Sequence, residues 1–126
     1  MRFIISPFLL FFIFSLHGQS LSESEYYRRM DYGHQLMIAG DYQAAQTEFM
    51  FVLENMAIIP TNLAYLFGRN SFHLALYKQS VNWLNKYLQL KGTKGQYYKE
   101  AIQYLQFSED RYMELQRSLK QDQSNA

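Results

Sequence analysis

The sequence predicts an all-α protein built from antiparallel helical hairpins, on three observations. Apolar residues recur in steps of three and four through most of the chain, the spacing that keeps side chains on one helix face. A Gly-Asp-Tyr corner, Gly40 to Tyr42, stands between two such stretches. The main positions of that first hairpin return 35 residues later, and a hairpin repeated at a fixed period implies a stacked array.

The first eighteen residues are different in kind. Arg2 is followed by an apolar run from Phe3 to Leu16 and then by small or polar residues, the layout of a secretory signal peptide removed on export. The run is shorter than the roughly 20 residues that cross a bilayer, and Pro7 interrupts it. A leader over residues 1–18, cleaved after Gly18, is therefore expected, with a retained membrane anchor as the alternative. Residues 19–121 then form one helical domain, too short for two. Residues 122–126 read as a polar, disordered tail.

Charge and composition exclude several function classes. Of twelve Lys and Arg, removing Arg2 leaves eleven, against eleven Asp and Glu. Such a balance gives no field to gather phosphates, so nucleic acid is not an expected partner. The chain has no cysteine, which excludes disulfides, thiolate zinc sites and thiol catalysis together. Stability must come from packing.

Each element has its own signal. Ser22 and Glu25 have capping-box spacing, so the first helix should begin there. Tyr26, Met30, Gly33 and Met37 follow on one face. Gly40 supplies a left-handed stop and Asp41 a cap for the second helix. That helix carries Tyr42, Ala45, Phe49, Val52, Leu53 and Met56 on one stripe, closed by Pro60. At the 35-residue shift Tyr32 falls on Phe67, Gly33 on Gly68, Tyr42 on Tyr77, Ala45 on Ser80 and Phe49 on Leu84. A third helix is expected over Thr61 to Leu76 and a fourth over Tyr77 to Leu90, with Gly92 as C-cap. Beyond the KGTKGQ break, one long helix should run from Tyr97 to Lys120, its apolar stripe Ala101, Ile102, Leu105, Tyr112, Leu115 and Leu119. A polar outer face suits it to cap the array.

These two units, about 26–60 and 61–94, resemble tetratricopeptide repeats. Tyr32-Gly33, Gly40-Asp41-Tyr42, Ala45, Phe49 and the following Pro60 carry the likeness in the first unit; Phe67-Gly68, Tyr77 and Leu84 carry it in the second. The second unit departs in placing Ala75 where the turn glycine belongs and Ser80 where alanine does. Arg29 and Ala64 stand at the family's tryptophan, and Tyr87 replaces a small residue. The resemblance implies a short right-handed solenoid and protein binding in a concave groove lined by the first helix of each pair.

By register that groove holds Tyr27, Met30, His34, Met37 and Ile38 from the first unit, with Asn62, Tyr65, Arg69, Phe72 and His73 from the second. Methionine and aromatic side chains give adaptable apolar contacts. Asn62 can bond an extended backbone, and Arg69 can grip a carboxylate. The competing expectation is that Tyr27, Met30, Met37 and Phe72 pack on their own hairpin or on the long last helix, with Arg69 and Asn62 on a solvated face. A metal site needs three or four converging donors, and His34 and His73 do not bring them. Glu109 and Asp110 are neighbours that point to different helix faces and so cannot divide acid and base roles. No catalytic residue, cofactor or metal is expected.

The sequence thus points to an exported, non-enzymatic adaptor for another protein or peptide, periplasmic or at the cell surface. The alternative is a structural component of an envelope assembly held at the membrane by an uncleaved leader. Two hairpins and a cap are near the minimum for independent stability, so a second copy is a further expected partner.

Overall fold

The computed structural model describes residues 22–126, and the leader expected over 1–18 lies outside the described residues. The described chain is all-helical: α1 (Glu23–Ile38), α2 (Tyr42–Asn55), α3 (Thr61–His73), α4 (Tyr77–Lys91), a short 3-10 turn (Gly92–Lys94) and α5 (Tyr98–Ser124). Each helix packs on the next, and α3 also touches α1 and α5. The odd-numbered helices therefore stand side by side along one face.

The turn joining α1 to α2 and the turn joining α3 to α4 make the same backbone bonds. Ala39, Gly40 and Asp41 donate to Gln35, Met37 and Leu36; Leu74, Ala75 and Leu76 donate to Asn70, Phe72 and Ser71. These bonds satisfy carbonyls that a helix end leaves without partners, and they require one left-handed residue. Gly40 supplies it at φ 85°, and Ala75 adopts the same region at φ 60°. Asp41 caps α2 as expected, accepting from Ala44 N–H at 3.4 Å. The turn also sets the end of α3, which stops at His73 rather than Leu76 because Leu74 to Leu76 are spent in reversing the chain.

The capping box at Ser22 does not form. Ser22 makes no cap bond and its hydroxyl lies 2.9 Å from that of Ser24. Glu25 turns instead to Arg28, whose Nε donates at 3.1 Å, a charge-assisted bond that outcompetes a backbone amide. At the other end α5 continues through residues 122–124, expected as tail, since no Gly or Pro interrupts it.

Close approach within each hairpin rests on a glycine. A Cβ on Gly33 would meet the Phe49 ring at 2.7 Å, and one on Gly68 would meet Leu84 Cγ at 2.7 Å. Around these contacts lie Val52, Leu63, Tyr65, Phe67 and Tyr87, all fully buried. Burying each such side chain contributes about 1.5–3 kcal/mol. Trp83 lies against Phe67 with ring centroids 5.1 Å apart.

Polar clasps join the layers. Asn70 Nδ2 in α3 donates to the Tyr42 carbonyl at 2.9 Å and to Gln46 Oε1 at 3.0 Å, tying the second hairpin to the first. Ser80, the counterpart of Ala45, approaches the Gly68 carbonyl and the Ser108 hydroxyl, each at 2.7 Å. Ser108 also approaches the Tyr104 carbonyl at 2.7 Å. Two hydroxyl protons serve these three contacts, so the carbonyls of α3 and α5 share them in alternation. Tyr87 accepts from Tyr97 N–H at 2.8 Å and so pins the loop before α5.

Candidate functional site

Arg69 projects from the middle of α3 toward the face shared by α1, α3 and α5. Its Nη1 donates to the Tyr65 hydroxyl at 3.2 Å, and its guanidinium carbon lies 5.0 Å from the centroid of the Tyr104 ring on α5. Such a position over a ring face is attractive for a cation. No carboxylate among the described residues pairs with Arg69. Its Nε is buried without a hydrogen-bond partner.

Aromatic rings form the walls. Tyr65 is stacked on Tyr97 at 4.2 Å, and His73 on Tyr42 at 4.3 Å. Phe72 meets Tyr104 edge-on at 5.5 Å and Phe107 at 6.0 Å. Phe72, His73, Tyr104 and Phe107, with Asp110, Arg111 and Glu114 at the far end, line an open groove of about 520 Å³. Tyr104, whose ring Arg69 faces, is one of its walls.

Burial pushes the pKa of both His34 and His73 below the usual imidazole value, and the Arg69 charge adds to the effect. Asp31, one turn before His34, partly opposes it there. Burial also raises the Tyr65 phenol, against the Arg69 hydrogen bond. At neutral pH the two histidines and Tyr65 are therefore uncharged beside the Arg69 guanidinium. Among the described residues no three His, Asp or Glu side chains converge on a metal position, and no helix is long and apolar enough to cross a membrane.

Of the residues expected in the groove, Phe72 and His73 line it, and Arg69 lies beside it against the Tyr104 ring. Tyr65 is fully buried and meets Arg69 from within the core, and His34 is half-buried on α1. Met30 and Met37 are not available to a ligand. At 8% and 2% exposure they are enclosed in the core, because their face of α1 is the one that closes on the neighbouring helices. Tyr27 is exposed but lies in a separate cleft with Tyr26, Met56, Ile58 and Pro60. Asn62 is half-buried near the start of α3, almost two turns before Arg69. Ile38 is exposed at the end of α1.

Tyr104 and Phe107 belong to the site although sequence reasoning leaves them out. They fall beside the expected stripe of α5, and Tyr104 stands three residues after the buried Ala101, a spacing that signals a shared face. No protein-family model matches the chain, and neither a curated protein nor a solved structure matches it.

Proposed function

We propose that this chain is a tetratricopeptide-like adaptor, a short right-handed solenoid that holds a partner protein or peptide in the groove between α1, α3 and α5. One observation carries the reading: among the described residues Arg69 is a half-buried cation with no carboxylate set against it and a buried Nε that lacks a partner. Desolvating a guanidinium with no anion beside it is unfavourable, and a partner's carboxylate at its accessible edge would supply the countercharge. The aromatic rings on either side offer apolar contacts to the residues that flank that carboxylate. The likeness of the two turns and of the Gly33–Phe49 and Gly68–Leu84 contacts supports the solenoid.

Export is part of this reading. The apolar run from Phe3 to Leu16 supports a leader, and the same run, if uncleaved, supports the alternative of a membrane-held envelope component. N-terminal sequencing of the protein from its native cell separates them: Gln19 favours the exported adaptor, Met1 the anchored one.

Photo-crosslinking in the native cell tests the groove. A crosslinker at Phe107 should capture a discrete partner, and Arg69→Gln should remove that adduct at unchanged protein level. A crosslinker at Lys86, exposed on α4, gives the background. Equal adducts from both positions, insensitive to Arg69, would overturn the reading.

A further inference from the structure

We infer that two copies of the chain pair antiparallel through the exposed end of α5, Leu115 of each lying against Leu119 of the other. The starting point is a seam that outlasts its support. Ala101, Leu105, Ser108, Tyr112, Leu115 and Leu119 follow in steps of four and three, the spacing that keeps one stripe facing a neighbouring helix. Along the first half that neighbour is α4: Ala101 and Ser108 are buried, and Leu105 and Tyr112 half-buried. But α4 begins only at Tyr77, level with Tyr112, and from Met113 onward every residue of α5 is exposed. Leu115 and Leu119 continue the stripe at 45% and 48% exposure, with no helix of the described residues beside them.

A second copy fits this vacancy by charge as well as by apolar spacing. When Leu115 is level with Leu119 of the second copy, the midpoint of the pairing is Arg117. The next place on the seam is Asp122, which then lies level with Tyr112 of the second copy and beside its Arg111. On a helix of 3.6 residues per turn, Arg111 and Asp122 sit on the same flank of the stripe. In an antiparallel pair, like flanks meet, so Asp122 of each copy comes beside the Arg111 of the other. The exposed Arg111 Nη1 already donates to Glu114 at 3.4 Å and can be shared between the two carboxylates; the geometry gives this Arg111–Asp122 ion pair twice. The apolar pair and the ion pair are thus symmetric about the same point, as a self-complementary interface requires. Gln116 and Ser118, next to the midpoint, are uncharged, so no like charges are forced together.

The end of the second copy's helix also has a seat. An open, largely apolar groove of about 520 Å³ lies where α5 leaves the body, lined by Leu76, Tyr77, Trp83, Tyr112 and Leu115 among others. Leu76 is 43% exposed there. Arg111 also stands at the far end of the Arg69 groove, but Leu115 and Leu119 do not line it, so the apolar pairing stands whether or not that groove binds a partner.

Sedimentation velocity of the purified protein over a concentration series tests it. The expected result is a shift toward twice the 15.0 kDa chain mass as concentration rises, or twice the mass of the processed chain. Leu115→Asp should weaken the association at least tenfold with unchanged helical circular dichroism, since Leu115 supports no internal core. Asp122→Arg should weaken it too, and Arg111→Asp combined with Asp122→Arg should restore it, a rescue that only a second copy of the same helix provides. A monomer at every concentration, or a dimer indifferent to Leu115→Asp, or failure of the double exchange to restore pairing, would overturn the inference.

Discussion

Ala75 holds its backbone at φ 60°, in the left-handed region that Gly40 occupies at φ 85° in the equivalent turn. A Cβ in that region crowds the following carbonyl, at a cost of about 1–2 kcal/mol that glycine does not bear. Ala75 is exposed, so its methyl returns little by packing. Ala75→Gly is expected to stabilise the protein by roughly 1 kcal/mol after allowance for the freer unfolded chain. Gly40→Ala should cost about as much. Urea midpoints of the two variants check the pair, and a loss of stability in Ala75→Gly would contradict the account.

Gly68→Ala should destabilise by about 1–3 kcal/mol, because the new methyl meets Leu84 Cγ at 2.7 Å and its backbone nitrogen at 3.1 Å. Gly33→Ala faces the edge of the Phe49 ring and should cost less, since a ring can tilt where a backbone cannot move. Adding Leu84→Ala to Gly68→Ala should cost less than the sum of the two singles. Additive losses would show that the contact is not the cause.

Removing the Asn70 clasp should be expensive. Asn70→Ala leaves a cavity in α3 and deprives Gln46 Oε1 of its donor, together worth about 2–3 kcal/mol. Gln46→Ala, which leaves the Tyr42 carbonyl bond in place, should lose markedly less. Thermal unfolding of the two variants side by side measures the difference.

Stability should fall as pH drops from about 7.5 to 5.5. His34 and His73 have folded pKa values below the ordinary 6.5, chiefly through burial. Below 6.5 the unfolded chain therefore binds protons that the native chain refuses, so their contribution is whole above that value and is lost on acidification. His73→Phe keeps a flat ring against Tyr42 and cannot titrate. It should flatten the pH dependence of the denaturation midpoint, and an unchanged slope would assign that dependence elsewhere.

The turns and close contacts were the most legible features, because glycine has few reasons to be where it is. Gly40 gave the reversal, and Gly33 with Gly68 gave the points where large side chains cross. Ala75 and Ser80 read as departures, and their physics emerges only in three dimensions: one bears backbone strain, while the other's hydroxyl binds α3 to α5. The Ser22 cap is absent because Arg28 competes for Glu25, a rivalry that local spacing does not register. Helical register puts Met30 and Met37 on the groove because it fixes a face only to within about a quarter turn, and that margin separates wall from core. Tyr104 and Phe107 depend on how α5 is rotated against α3, which spacing within α5 alone does not determine.

Trp83 is the single tryptophan of the chain, set against Phe67 and in the wall of the groove beside Tyr112 and Leu115. Light absorbed by indole alone is therefore emitted from one known place, where the inner seam of the second hairpin meets the root of the last helix. The colour of that emission tracks how wet the site is. It should move to longer wavelength when the hairpin opens and to shorter wavelength when another surface settles beside it, so the molecule carries its own optical gauge of both events.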